Sequence, residues 1–298
     1  MTTFTPMGTT RFLSYIKNEK RLSNNTLVAY ENDLAQFQEF CFITFEETNL
    51  ALVTQMMIRS WVANLVNSKL SAASVKRKIS SLKAFYKYLM INEEILINPA
   101  QRIVLPKIPK RLPVFVDQKA MENLIDEKMF SDDFAGKRDR LLVTLLYETG
   151  IRRDEVINLV KRNVNFIQLE IKVLGKRNKE RIIPVSKTMI ERIEELNTYA
   201  RSEGFVTDYI LTTDKGEKMY PKFVYRKINH YLGAVTTINK KSPHILRHTF
   251  ATHLLNNGAE LNSVKELLGH ASLAATQVYT HNTIEKLKDV HKKNHPKS

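Results

Sequence analysis

The stretch that decides the fold and the chemistry of this chain lies towards its C-terminal end: SPHILRHTFATHLL at residues 242–255, LGHAS at residues 268–272 and VYTH at residues 278–281. Four of its side chains suit one task when they meet, and they are His244, Arg247, His270 and Tyr279. Arginine offers a planar fork of donors that fits phosphate oxygens. Histidine can hold or pass a proton near neutral pH, and tyrosine is a nucleophile that leaves a covalent intermediate. Together they suit the attack of a tyrosine oxygen on a phosphodiester.

The spacing within this stretch predicts short helices that present these groups. Arg247 follows His244 by three residues, so one helical turn places both on the same face. Gly258 stands where it can end that helix. Residues 262–263, Asn-Ser, could cap a second short helix that ends at Gly269.

Three motifs in this stretch resemble the C-terminal signature of the tyrosine recombinases: His244-Ile-Leu-Arg247, Leu268-Gly-His270 and Tyr279-Thr-His281. Their order and distances resemble the Xer branch, the bacterial recombinases that resolve chromosome dimers. The resemblance implies a site-specific DNA recombinase that cuts and rejoins DNA through a 3′-phosphotyrosyl intermediate. It implies no cofactor and no metal.

Two upstream motifs complete the candidate catalytic set. The segment at residues 149–159, TGIRRDEVINL, resembles the family's first-arginine box, and Arg152 takes the arginine place. Glu155 fits the same box, either as a support of the active site or as a solvated helix residue or ion-pair partner of a nearby arginine. Residues 169–185 alternate as strands do and predict a β-hairpin with a cationic turn. This hairpin resembles the family's GK-x-NKER hairpin, whose first lysine is a catalytic acid, and that role carries over to Lys176.

Further cations follow Lys176 in this hairpin. Arg177 stands where a small residue is usual in the family and could hold an extra phosphate. Lys179 and Arg181 are expected to contact backbone phosphates or to be solvated.

The composition sets bounds that agree with this resemblance. The 298 residues carry 46 Lys plus Arg against 31 Asp plus Glu, a net charge of +15 that indicates a polyanionic partner. No apolar run reaches membrane-spanning length, and no signal peptide is visible at the N-terminus. The lone Cys41 excludes an internal disulfide. We therefore expect a cytoplasmic protein with no membrane partner.

The fold class that the pattern predicts is mainly α with a small β-hairpin or sheet, an α+β arrangement of two domains. Residues 1–98 read as an N-terminal helical core-binding, SAM-like DNA-binding domain. Residues 99–113 are rich in proline and basic residues and read as a linker. Residues 114–298 would form the catalytic tyrosine recombinase domain, with a C-terminal tail that docks on a neighbouring protomer or packs on its own domain.

One N-terminal helix is exceptionally basic. Residues 71–91 show an apolar seam at helical spacing and no acidic residue. Such a face is often only solvated, but here we predict that it lies against DNA. The candidate contacts are Lys76, Arg77, Lys78, Lys83 and Lys87.

The resemblance implies a mechanism and a set of partners. Tyr279 would attack a DNA phosphate and displace the 5′ hydroxyl, while Arg152 and Arg247 stabilise the charge on the phosphate. His244 and His270 would bind the phosphate, and one of them would accept the tyrosine proton. The partners implied are double-stranded DNA with a specific recombination site, a homo- or hetero-tetramer on that DNA with a possible second Xer-type recombinase, and a possible DNA translocase.

Three other interpretations stay open. An integrase or transposase of a mobile element would use the same chemistry. A type IB topoisomerase would also form a phosphotyrosine, but its equivalent of the HxxR box begins with a lysine rather than His244. A non-catalytic architectural DNA-binding protein is the alternative from another class, and the complete set of six candidate catalytic residues argues against it.

Overall fold

The computed structural model describes residues 7–106, 114–175 and 180–269. The chain divides into two compact units, Met1–Arg111 and Leu112–Ser298. The described part is mostly helical with one small antiparallel sheet, as the sequence predicts. The exact bounds of the predicted domains and linker stay a prediction, since residues 107–113 lie outside the described part.

The first unit contains only helices within its described residues. They are α1 (Met7–Asn18), α2 (Asn24–Phe45), α3 (Gln55–Asn67) and α4 (Ala72–Ile91), with one 3₁₀ turn at Leu50–Leu52. Serine or threonine hydroxyls cap three of these helices, because each accepts a backbone N–H of the first turn: Ser23, Thr54 and Ser71. The seams that the sequence predicts form one apolar core around Phe37 and Trp61.

The second unit packs helices around a central one. The elements are α5 (Gln118–Ile125), α6 (Phe134–Thr149), α7 (Arg153–Ile157), β1 (Val164–Asn165), β2 (Glu170–Leu174), β3 (Glu180–Pro184), α8 (Lys187–Ser202), α9 (Pro221–Val235), α10 (Pro243–Asn256) and α11 (Leu261–Leu268). Helix α6 is buried along most of its length, and it packs against α8 and α10.

One glycine brings three of these helices together. Gly150 follows α6 in the left-handed conformation, with φ of 59°. A Cβ atom there would lie 2.6 Å from Cδ1 of Phe250 and 2.8 Å from Cδ2 of Leu268. Only glycine tolerates both the backbone conformation and this close approach. The end of α6 therefore touches α10 and α11, and this is where the candidate site lies.

The predicted hairpin is confirmed as part of a three-stranded antiparallel sheet in the order β1-β2-β3. Ile171 pairs with Ile183, and Val173 pairs with Arg181. All four of these side chains are buried. Arg181 therefore points inward, because residues two apart in a strand share a face. The turn residues 176–179 lie outside the described part.

One predicted detail is wrong. Helix α11 is not capped at residues 262–263: it begins at Leu261, its cap position is Glu260, and no side chain caps it. Asn262 and Ser263 are the second and third residues of the helix, so neither occupies the cap position. Among the helices of the part that the structure describes, none combines the length and the apolar character that a membrane span needs.

Candidate active site

Arg247 lies at the centre of the described site. Helix α10 begins at Pro243, which lacks the N–H that the first helical turn leaves unpaired. One turn later the buried Arg247 donates from Nη1 to the carbonyl oxygen of Gly150, and from Nη2 to that of Leu268 at 2.6 Å. The arginine thus links the end of α6 to the end of α11.

Arg152 reaches the same place from α7. It occupies the cap position of that helix, and its backbone N–H donates to Oε2 of Glu155 at 2.8 Å. Its Nη1 donates to Oε1 of Glu155 at 2.7 Å, and its Nη2 donates to the carbonyl oxygen of Gly269 at 2.8 Å. The side chain keeps 25% of its surface exposed, so one edge stays open to a ligand.

The role that the sequence predicts for Arg181, a phosphate contact or a solvated charge, is wrong. Arg181 neither contacts solvent freely nor is available to a phosphate, since it is only 5% exposed. Its Nη1 and Nη2 donate to the two carboxylate oxygens of Glu155 at 2.7 and 2.8 Å, and its Nε donates to the carbonyl oxygen of Leu267 at 3.2 Å. The alternation of the hairpin could have revealed this, because Arg181 stands two residues before the core residue Ile183.

The three arginines donate hydrogen bonds to three successive carbonyl oxygens at the end of α11. Leu267 accepts from Arg181, Leu268 from Arg247 and Gly269 from Arg152. The last carbonyls of a helix lack partners within the helix and carry partial negative charge, so arginines complement them well. We call these residues, Arg152, Arg181 and Arg247 with Glu155, the arginine cluster.

The arginine cluster carries more positive than negative charge. It holds three guanidinium groups, and Glu155 is the carboxylate that pairs with two of them, those of Arg152 and Arg181. Burial, together with the charges of Arg152 and Arg181, lowers the pKa of Arg247 to about 9, so it stays protonated at neutral pH. Such an excess of buried cationic charge favours the binding of an anion.

The carboxyl group of Glu155 is ionised within the arginine cluster. Burial acts to raise the pKa of its carboxyl group, but the hydrogen bonds and charge of Arg181 and the hydrogen bonds of Arg152 outweigh burial and lower the pKa to about 2. Glu155 is therefore the ion-pair partner of both arginines and not a solvated helix residue.

His244 stands one turn before Arg247 with an exposed side chain. Partial loss of hydration, and then the charges of Arg153 and Arg247, lower the pKa of its imidazole below the usual value. At neutral pH the ring is therefore largely neutral and can accept a proton or a hydrogen bond.

The remaining candidate residues lie outside the described part. These are Lys176, Arg177, His270 and Tyr279. The structure thus brings together Arg152 and Arg247, with His244 on the same helix as Arg247. Gly269, the last described residue, is bonded to His270. Among the described residues, no group of histidine, cysteine, aspartate and glutamate side chains could hold a metal ion.

The basic helix α4 divides its cations into two groups. Lys76, Arg77 and Lys87 are exposed and Lys83 is half-buried, although the guanidinium of Arg77 also pairs with Asp33. Lys78 is the exception: it is 5% exposed, and its Nζ donates to Asp33 at 3.1 Å.

The burial of Lys78 argues against the DNA contact that the sequence predicts for it. Besides Asp33, its ammonium group donates to Oε1 of Gln36 and lies over the ring of Trp61. It stands three residues after the buried Val75 and next to the buried Ile79, on the apolar seam of α4.

Comparisons with known proteins agree over nearly the whole chain. The model described as "Phage integrase family" matches residues 115–286, and that described as "Phage integrase, N-terminal SAM-like domain" matches residues 9–93. The tyrosine recombinase XerC of Staphylococcus aureus (strain MSSA476) is 37% identical over 290 residues, which cover 96% of each chain. The tyrosine recombinase XerC of Chlorobaculum tepidum is 33% identical over 314 residues, which cover 96% of this chain and 94% of the relative.

Solved structures show the same fold. A XerH site-specific recombinase bound to a palindromic difH substrate, in a post-cleavage complex, matches with a TM-score of 0.71 and 22% identity. The match covers 94% of this chain and 83% of that one. The Tn1549 transposon integrase in complex with transposon right end DNA matches with a TM-score of 0.70 and 16% identity, over 94% of this chain and 97% of that one.

Proposed function

Since the chain belongs to the phage integrase family, with the N-terminal SAM-like domain and the C-terminal catalytic domain of a site-specific tyrosine recombinase, we propose that it performs the Xer-type task of resolving chromosome dimers. The relatives named XerC, at 33% and 37% identity over almost the full length, support this choice over the integrase of a mobile element. The likeness to the Tn1549 integrase concerns the fold alone. A cytoplasmic location and a part in cell division follow from this proposal.

The observation that carries the chemistry is the excess of guanidinium charge in the arginine cluster. A DNA phosphate is the anion of a recombinase substrate, and charge grows on its oxygens at the pentavalent state. In this proposal Arg247 and the open edge of Arg152 bind the non-bridging oxygens of the phosphate to be cut.

The proposed reaction is a transfer of the phosphoryl group from one oxygen to another. The phenol oxygen of Tyr279 forms a bond to phosphorus, the bond to the 5′ oxygen breaks, and a 3′-phosphotyrosyl link results. The phenol proton goes to a histidine, His244 or His270, and Lys176 gives a proton to the departing 5′ oxygen. Attack by a 5′ hydroxyl of a second duplex reverses the step and completes strand exchange.

The proposed partners follow from the same function. The chain would bind double-stranded DNA at a specific site, as the XerH structure is bound to its difH substrate. The exposed cations of α4, together with Arg177, would contact backbone phosphates. Exchange between two sites would use a tetramer, formed by this chain alone or with a second Xer-type recombinase, and a DNA translocase could regulate it.

The test of the nucleophile uses a duplex selected for binding from a random pool and nicked near the phosphate to be cut, so that the cut strand escapes. Wild type, Tyr279→Phe and, as matched control, Tyr209→Phe are incubated with it without added metal and run on denaturing gels. We expect a covalent protein–DNA adduct with wild type and Tyr209→Phe, and none with Tyr279→Phe. An adduct that persists in Tyr279→Phe would reject this nucleophile.

The test of the Xer-type task is separate. The gene is deleted from the host, and the fraction of cells with unresolved dimeric chromosomes is measured with and without the wild-type copy. We expect more dimers in the deletion and rescue by wild type but not by Tyr279→Phe. An unchanged dimer fraction would favour the mobile-element alternative.

A further inference from the structure

Arg181 occupies a position in the site that the proposed chemistry does not use. It is almost completely buried, at 5% exposure, yet each of its three nitrogen atoms donates a hydrogen bond, two to Glu155 and one to the carbonyl oxygen of Leu267. Buried arginine is rare unless it is paired, and here the pairing joins three elements: β3, α7 and the end of α11. From this geometry we propose that Arg181 is a positioning residue of the strand-cleavage reaction, which acts through Arg152 and through the end of α11. The proposal rests on the proposed function above.

The first path runs through Glu155 to Arg152. The two oxygens of Glu155 accept four hydrogen bonds: Oε1 from Nη1 of both arginines, and Oε2 from Nη2 of Arg181 and the backbone N–H of Arg152. Because Arg181 donates a hydrogen bond to each carboxylate oxygen of Glu155, it fixes the orientation of that carboxylate. That carboxylate in turn fixes both the backbone and the guanidinium of Arg152.

The second path runs to the end of α11. Arg181 donates from Nε to the carbonyl oxygen of Leu267 at 3.2 Å. Its side chain also lies directly against Gly269, where an added Cβ atom would be 3.0 Å from Cδ and 3.3 Å from Nε of Arg181. Gly269 has φ of 62° and ends α11. Arg181 therefore supports the turn whose next residue in the sequence is the candidate His270.

Arg181 itself does not reach the substrate. Its side chain is enclosed, whereas that of Arg152 keeps a quarter of its surface open. Loss of Arg181 would also leave Glu155 with Arg152 as its remaining guanidinium partner, so the carboxylate would neutralise the arginine that must bind phosphate. Both effects reduce the rate of cleavage more than the affinity for DNA, because the affinity depends mostly on many phosphate contacts.

The test measures single-turnover adduct formation on the nicked duplex at saturating DNA, together with the dissociation constant for the same duplex. Arg181→Lys keeps a positive charge in the enclosed position but cannot grip both carboxylate oxygens. Arg181→Met keeps the apolar stem and removes the charge. We expect cleavage to fall on the order of 100-fold in either variant while the dissociation constant changes by less than about threefold.

The matched control is Arg138→Lys. Arg138 is also fully buried and paired with acids, Asp139 and Asp214, but it lies outside the arginine cluster. We expect this variant to lower the unfolding temperature as much as Arg181→Lys does, with cleavage below that temperature unchanged.

A double-variant comparison separates positioning from simple support of the fold. In an Arg152→Ala background, Arg181→Lys has no arginine left to position through Glu155, so its additional effect on cleavage should shrink to about tenfold or less. Three outcomes would overturn the proposal while wild type still forms its adduct. They are unchanged cleavage in Arg181→Lys, equal losses of cleavage and affinity, and a full 100-fold loss in the Arg152→Ala background. Absence of an adduct with wild type would instead refute the proposed function.

Discussion

Each unit of the chain buries a carboxylate among several cations, Asp33 in the first unit and Glu155 in the second, and the two carboxylates act differently. In the first unit Asp33, with 1% of its side chain exposed, accepts from Arg77, Lys78 and Ser81, all on α4. In the second unit Glu155 accepts from Arg152 and Arg181, and both arginines continue to backbone carbonyls of α11.

This difference shows which features distinguish a structural ion pair from an anion-binding site. Asp33 connects α2 to one face of α4, and its buried cation Lys78 also binds Gln36 on α2, so the network ends between two helices. Glu155 belongs to a cluster with an excess of positive charge that a third arginine, Arg247, enlarges. The first arrangement is a clamp between helices, whereas the second holds charge ready for an anion.

The largest expected effect follows from the removal of positive charge from the arginine cluster. Arg247→Ala removes the guanidinium that links Gly150 to Leu268 and that would bind the phosphate. We expect single-turnover cleavage to fall on the order of 1000-fold. Arg77→Ala, the counterpart in the first unit, should weaken DNA binding but leave cleavage at saturating DNA within about threefold. Equal cleavage losses in the two variants would show that the two networks do not differ in this way.

The next effect concerns the clamp. Asp33→Asn removes a buried charge and leaves the enclosed ammonium of Lys78 without its ion-pair partner. We expect the free energy of unfolding to fall by about 3 kcal/mol in urea titrations of the full chain. The control Asp132→Asn, whose exposed carboxylate pairs with Lys137, should change it by less than about 1 kcal/mol. A change in Asp33→Asn no larger than in the control would mean that the clamp contributes little.

The third effect is the pH dependence of stability. The pKa of Glu155 is about 2 in the folded chain, below its ordinary value of 4.5. A lowered pKa stabilises the folded state above the unfolded value, and this stabilisation is lost as the pH falls from about 4.5 towards 2. It amounts to roughly 3 kcal/mol. Acid unfolding of Glu155→Gln should therefore be less steep than that of the wild type, while Glu191→Gln, at an exposed site, should behave as wild type.

The smallest expected effect distinguishes the exposed lysine of α4, Lys76, from the enclosed one, Lys78. Lys76 is exposed and Lys78 is enclosed, although they lie two residues apart. If Lys76 contacts a phosphate, Lys76→Met should reduce the slope of log affinity against log salt by about 1, whereas Lys78→Met should leave the slope unchanged. Fluorescence anisotropy titrations at several salt concentrations measure both. A reduced slope in Lys78→Met would restore the DNA contact that its burial argues against.

Several secondary-structure elements and the order of the motifs could be predicted from the sequence alone. Apolar spacing predicted α4, and strand alternation predicted the hairpin, because burial of one face imposes these periods. The placement of Arg247 one turn after His244 also followed from spacing alone.

The partners of the buried charges could not be predicted in the same way. Lys78 lies on the apolar seam and Arg181 on the inward face of β3, and either position is readable from the spacing. A cation at such a position needs an acid, however, and the acids are distant in sequence: Asp33 for Lys78, and Glu155 for Arg181. Spacing within one element does not show which distant element supplies the acid.

The most direct measurement of the central claim, that the arginine cluster binds the phosphate to be cut, replaces that phosphate by a neutral methylphosphonate. Its position is first mapped from the wild-type adduct. Single-turnover cleavage by wild type and Arg247→Ala is then compared on the charged and the neutral duplex. Because the neutral group needs less cationic stabilisation, we expect the defect of Arg247→Ala to shrink from the order of 1000-fold to about tenfold or less. A defect of the same size on both duplexes would contradict the claim.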